Sequence, residues 1–247
     1  MELMTVEEFI SYIEGYKFTR KIKRVQLHHT YSPSYKDFNG NNHQKLQQGM
    51  KNYHVKNNGY ADIAQNITIF PDGKVLLGRE LNKAPAGIYG ANSDGICIEC
   101  LGNFDIGGDV MNEAQKNAIA GVAKILLDKL RLDALNGVTY HAWWTSTGSE
   151  LGTYKARKSV KTCPGTNFFG GNTREAFEKN LMSLIENYGK EEKKMLETPN
   201  DITWELNHTY FPIEDVEGFK KALEIAQKNP DLDNLYWGFY KLVNRIK

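Results

Sequence analysis

Cysteine is scarce in this chain of 247 residues: only Cys97, Cys100 and Cys163 occur. So small and odd a number does not make a disulfide scaffold and fits synthesis in a reducing compartment. Long apolar runs are missing as well. No stretch approaches the roughly 20 residues needed to span a bilayer, so no membrane partner is expected. Met1 to Gly15 contains Glu2, Glu7 and Glu8 and lacks the uninterrupted apolar core of a secretory signal peptide. The expectation is a protein made in the cytoplasm, reaching other compartments only if something releases it. A strong charge of one sign is also absent. The formal net charge is +1, which argues against nucleic acid as a partner, because such proteins usually carry a basic stripe. After residue 189 there are nine Lys/Arg and eleven Asp/Glu. The first 189 residues are therefore weakly positive, a sign that suits an anionic polymer but is too small to decide anything.

What is present is ordinary for a globular protein: 40% hydrophobic and 25% charged residues, enough for a sizeable core. Thr5 to Tyr16 reads as a short helix with Thr5 as N-cap and Glu8 three positions on, a capping box. Arg24 to Thr30 alternates as a strand does. Gln44 to Val55 has helical spacing, with Leu46, Met50, Tyr53 and His54 near one face. Ile67 to Phe70 and Val75 to Leu77 flank Pro71-Asp72-Gly73 as a hairpin. Gly95 to Leu101 is a strongly β-type run. Asn112 to Leu130 is an amphipathic helix, Val138 to Tyr140 a short strand, and Thr173 to Tyr188 a further helix.

Intermingled strands and helices predict an α/β domain, a mixed central β-sheet flanked by helices, over residues 1–189. Residues 190–200 are charge-dense, end in Thr-Pro-Asn and read as a linker. Ile213 to Lys228 and Leu235 to Ile246 predict two helices, so residues 201–247 form a small all-helical C-terminal module.

Six histidines occur, at 28, 29, 43, 54, 141 and 208. Successive strand residues point to opposite faces, so only one of His28 and His29 can face a given site. His141 ends a strand, and Cys163 follows 22 residues later in Lys161-Thr162-Cys163-Pro164-Gly165. Two imidazoles and a thiolate match a catalytic zinc site, which uses three protein ligands and keeps its fourth position open. Taken singly, a strand histidine or a lone thiol is commonly a packing residue. Cys97 and Cys100 stand three apart in a strand, so their thiols diverge and both read as packing residues.

Taken together, these stretches resemble the type-2 N-acetylmuramoyl-L-alanine amidases and peptidoglycan recognition proteins. The resemblance runs from about Arg24 to Gly165. It is carried in order by His28-His29-Thr30, a helix ending in His54, Asp62-Ile63, Pro71-Asp72-Gly73, Gly78-Arg79, Gly95 to Glu99, Gly102-Asn103-Phe104, His141, and Lys161 to Gly165. It implies Zn2+ bound by His28, His141 and Cys163, with Lys161 near the substrate oxygen. Some members carry a tyrosine near the position of Gln65, which this chain lacks; others carry a glutamate where Glu99 stands. Glu99 is therefore the expected proton carrier. His29 is expected to face away from the site and be structural, His54 to pack on its helix, and His43 and His208 to lie at the surface.

The implied activity is cleavage of the amide between N-acetylmuramic acid and L-alanine in peptidoglycan, by a wall-directed endolysin of phage or prophage origin. The alternatives are a peptidoglycan-binding module that does not cut, and a cytosolic amidase recycling muropeptides. Binding members commonly lack the final cysteine, and Cys163 is present. The tail holds Trp204, Tyr210, Phe211, Phe219, Tyr236, Trp237, Phe239 and Tyr240. These serve a small core, wall binding, or assembly into a homo-oligomer.

Overall fold

Alternating apolar and polar residues in two six-residue segments build the centre of the fold. In the computed structural model, which describes residues 3–189 and 216–228, Arg24–His29 (β2) pairs in parallel with Gly95–Cys100 (β5). Around them a six-stranded mixed sheet forms with Leu3–Met4 (β1), Ile67–Ile69 (β3), Val75–Leu77 (β4) and Val138–Tyr140 (β6), in the order β1-β4-β3-β5-β2-β6. β3, β5, β2 and β6 run parallel; the hairpin strand β4 runs antiparallel to β3, and the edge strand β1 pairs antiparallel with β4, so β4 alone opposes the rest. This is the expected mixed sheet flanked by helices. The chain divides at residue 189 into two units, Met1–Gly189 and Lys190–Lys247.

Period-two alternation gives the sheet two different faces. Val25, Leu27, Ile67, Ile69, Ile96 and Ile98 join the main core, which also takes Phe9 and Ile13 from Val6–Gly15 (α1) and Ile119, Val122 and Leu126 from Glu113–Leu130 (α3). The capping box at Thr5 is present, with its side chain accepting from the Glu8 amide. The helical stretch Arg174–Ala176 (α5), a π-helical segment Phe177–Met182 and Ser183–Asn187 (α6) sends Phe177, Leu181 and Ile185 into the same core. A short helix Ala134–Gly137 (α4) leads into β6.

Over the opposite face lies His43–Lys56 (α2). Its buried stripe is His43, Gln47 and Met50, not the Leu46–Met50–Tyr53–His54 face that its spacing suggests; Tyr53 is exposed and Leu46 packs from the side on Phe70, Leu76 and Leu101. His43, expected at the surface, is buried. The first turn of α2 sits over the β3–β4 turn, so the ring is wedged against Phe38 and Phe70, and Nε2 lies 2.8 Å from Asp72 Oδ2. Spacing within α2 cannot show this, because the covering residues come from the hairpin.

In the second unit Val216–Lys228 (α7) is helical, with Leu223 and Ala226 buried. The linker at 190–200, the helix expected at Leu235 to Ile246, His208 and every tail aromatic except Phe219 lie outside the described residues. Among the described residues no helix is long and apolar enough to cross a membrane.

One buried side chain ties helix to sheet. Gln115 on α3 donates through Nε2 to the carbonyls of Ile69 and Leu101, each at 3.0 Å, and accepts from the Tyr35 hydroxyl at 2.6 Å. Gln115→Leu strands these partners without water, so stability should fall by about 2–4 kcal/mol in denaturant titration. A loss under about 0.5 kcal/mol would mean that solvent reaches them.

Candidate metal centre and its cleft

β2 and β5 end side by side on the face away from α1 and α3. Their register sets Gln26 beside Cys97 and His28 beside Glu99. β6 delivers His141 immediately after its last residue, where a 3₁₀ turn begins. Cys163 arrives on a loop, and its carbonyl accepts from the Ala142 amide at 2.7 Å, which holds the cysteine and histidine segments together. The result is that donor atoms of His28, His141 and Cys163 all lie within 4.8 Å of one another. The His28 and His141 ring centroids are 5.0 Å apart.

The loop carrying Cys163 is anchored from the side. Asp105 accepts from the Thr166 amide at 2.9 Å and from the Thr162 hydroxyl at 3.3 Å, bracketing the cysteine, and Asn172 donates to the Thr162 carbonyl. Gly165 follows at φ 124°, and a Cβ there would stand 2.4 Å from the Phe104 backbone, so only glycine lets the loop pass so close.

Three donors in this arrangement suit zinc. Bonds of about 2.0 Å to nitrogen and 2.3 Å to sulfur in a tetrahedral centre imply an N···S separation of about 3.5 Å. His28 Nδ1 stands 3.4 Å from Cys163 Sγ. Burial, then the neighbouring His141, Lys161 and His29, lowers the His28 pKa; burial followed by Lys161 lowers that of His141 to about 4. Both rings are therefore neutral at pH 7, the form that binds a metal. Burial, reinforced by Glu99, raises the Cys163 thiol pKa and keeps it protonated in the metal-free protein, so a metal bound through it would displace a proton.

Glu99 sits against this cluster. Its Oε2 is buried and has no hydrogen-bond partner among the described residues. Burial raises its pKa to about 8, with Lys161 opposing the shift. Lys161 is exposed and lines the same cleft, about 1470 Å³ in volume, together with His28, Glu99, His141, Cys163 and Gln65. Gln65 is fully buried; its Nε2 donates to Thr68 Oγ1 and its Oε1 has no partner among the described residues.

His29 turns to the other side of the strand, where its Nδ1 accepts from the Phe104 amide at 3.1 Å. His54 is half-buried, accepting from the Ala64 amide, and borders the cleft rather than merely packing on its helix. Cys97 and Cys100 do diverge, as alternation requires. Only Cys100 belongs to the main core, however; Cys97 lies on the site face, with donor atoms of His28, Cys97 and Glu99 within 4.8 Å of one another. Parallel pairing with β2 is what turns the Cys97 face towards His28. Asp105, Gln26 and Tyr31 carried no sequence signal. Tyr31 is exposed at the rim with φ 60°, a conformation that bulky residues seldom adopt.

A family model described as N-acetylmuramoyl-L-alanine amidase matches residues 18–166, about 60% of the chain. The chain belongs to that family. Among curated proteins, peptidoglycan-recognition protein 1 of Holotrichia diomphalia is 33% identical over 86 residues, 35% of this chain and 43% of that protein. The chain thus spans less than half the length of this curated relative. Solved structures share the amidase-family fold. Drosophila PGRP-SA aligns with a TM-score of 0.51 and 20% identity, over 68% of this chain and 83% of its own. Drosophila PGRP-LB aligns at 0.50 and 18%, over 66% and 84%. A tyrosine-to-phenylalanine mutant of PGRP-LB, with the same scores and coverage, was solved in complex with tracheal cytotoxin.

The buried titratable groups fix a pH profile for the metal-free amidase domain. His28, His29 and His141 bind protons more weakly folded than unfolded, His29 and His141 near 4, so their stabilisation is present above about 6.5 and lost as pH falls. Glu99 binds its proton more tightly when folded, so its contribution is full below 4.5 and lost as pH rises to about 8. The melting temperature in chelator should climb between pH 4 and 6.5 and decline between 6.5 and 8. Glu99→Gln should remove the decline alone; a wild-type plateau over that upper range would place the carboxyl in solvent.

Proposed function

We propose that this chain is a zinc amidase that hydrolyses the bond between the lactyl group of N-acetylmuramic acid and L-alanine, acting on bacterial walls as an endolysin of phage or prophage type. The observation that carries this reading is the convergence of two imidazoles and a thiol beside a half-buried carboxyl, whose Oε2 is shut away from solvent, in a wide cleft. Family membership supports the reaction class, and a cleft of this size suits a muropeptide better than a small metabolite.

His28, His141 and Cys163 would hold the ion. When bound, zinc supplies Lewis acidity and a water that ionises near neutral pH. Glu99, whose pKa burial raises to about 8, takes a proton from the attacking water and returns it to the leaving amine. Lys161 faces the developing negative charge on the carbonyl oxygen. Neutral His28 and His141 leave Glu99 as the group beside the reacting atoms able to exchange protons near pH 7.

Binding without cleavage is the competing reading, and Cys163 in contact with His28 favours cleavage, because a thiolate there completes a three-ligand zinc site.

Two experiments decide. Ala at His28, His141 or Cys163 should lose zinc by metal analysis, whereas Glu99→Ala should keep a full equivalent and lose about 10²–10⁴-fold in rate. A zinc-loaded Glu99→Ala protein with wild-type activity would remove Glu99 from the chemistry. Added to intact walls, the protein should lower turbidity and leave new free amino termini on L-alanine by mass spectrometry. New reducing sugar ends would exclude an amidase; activity on soluble muropeptides alone would indicate recycling, and retention on walls without cleavage a binding module.

A further inference from the structure

Two residues before His28, on the same face of β2, stands Gln26. Both are buried, at 0% and 2% exposure. Gln26 Nε2 donates to the Ala91 carbonyl at 2.8 Å. Its Oε1 has no partner among the described residues, and neither has His28 Nε2. A buried acceptor or ring nitrogen left unpaired forfeits its hydration without return, so two side by side call for an explanation.

They face the same spot. A Cβ built on Gly87 would stand 2.5 Å from Gln26 Oε1, 2.9 Å from Cys97 Sγ and 3.1 Å from His28 Nε2. The bare α-carbon of Gly87 is what lets these three atoms crowd together. The amide cannot turn round, because that would set its oxygen against the Ala91 carbonyl, two acceptors in contact. Oε1 is therefore held towards the histidine.

His28 meanwhile directs Nδ1 at Cys163. A ring nitrogen that binds a metal must offer its lone pair, which moves the proton to Nε2, and that N–H then needs an acceptor. The Cys97 sulfur is a weak one. The amide oxygen of Gln26 is a good one.

We propose that Gln26 is a positioning residue of the metal centre: its side-chain oxygen accepts the His28 Nε2–H of the metal-bound ring and so fixes the tautomer that presents Nδ1 to the metal. This rests on the zinc reading given above. A purely structural Gln26 would only hold the Ala91 segment.

Three variants separate these roles by zinc affinity, measured in competition with a chromophoric chelator, and by the melting temperature of the metal-free protein. Gln26→Met removes both bonds and should weaken zinc binding about 10- to 100-fold. Gln26→Glu keeps an oxygen towards His28 and should bind zinc within about threefold of wild type, even if it melts earlier. Gly87→Ala drives a methyl between Gln26 Oε1 and His28 Nε2 and should weaken zinc as Gln26→Met does. In the zinc-loaded wild type, nitrogen NMR should show His28 protonated on Nε2. Wild-type zinc affinity in Gln26→Met would overturn the proposal, as would equal weakening in Gln26→Met and Gln26→Glu that follows their melting temperatures. A wild-type protein that binds no zinc would instead remove the metal centre itself.

Discussion

Parallel pairing of β2 with β5 is the constraint from which the rest of the molecule follows. Because strand side chains alternate, matching Val25 to Ile96 and Leu27 to Ile98 commits Gln26, His28, Cys97 and Glu99 to the opposite face as one group. The apolar set is buried by α1 and α3, and that burial supplies the energy holding the register. A one-residue slip of β5 would drive Glu99 into the core and turn Ile96 and Ile98 to the cleft, and a slip of β2 would do the same with His28 and its apolar neighbours. The fold thus protects the site's geometry through residues that never touch it.

Distant segments complete what the two strands begin. His141 is placed by the end of β6, and Cys163 by a loop gripped by Asp105, Asn172 and the close passage of Gly165 under Phe104. Long chain separations make such convergence entropically expensive, so the anchors matter as much as the ligands. An ion bound to all three segments would add a further cross-link between strand, turn and loop.

A single physical cause, removal from water, sets different groups to different tasks. Burial keeps His28 and His141 neutral and therefore ready to donate lone pairs, while it leaves Glu99 protonatable near neutral pH. Lys161 at the exposed edge moderates the glutamate without being buried itself. On the proposed reading, environment would separate metal-holding groups from a proton-exchanging group, using side chains that are ordinary in isolation.

The sequence by itself determined the main elements and the faces of the strands: the capping box at Thr5, the alternation of Arg24 to His29, the hairpin about Pro71-Asp72-Gly73, and the divergence of Cys97 from Cys100. It also singled out His28, His141, Cys163, Glu99 and Lys161, because ordered short motifs survive as text. These signals are local, a period or an offset read along a few residues. Only the tertiary structure decided what lies across from what. The hairpin turn over α2 buried His43, the pairing of β5 with β2 brought Cys97 to the site face, and the folding of separate loops set Asp105 against the Cys163 segment and Gly87 against Gln26. None of these contacts has a period or a fixed offset, since each joins segments whose approach is fixed by packing and not by neighbouring residues.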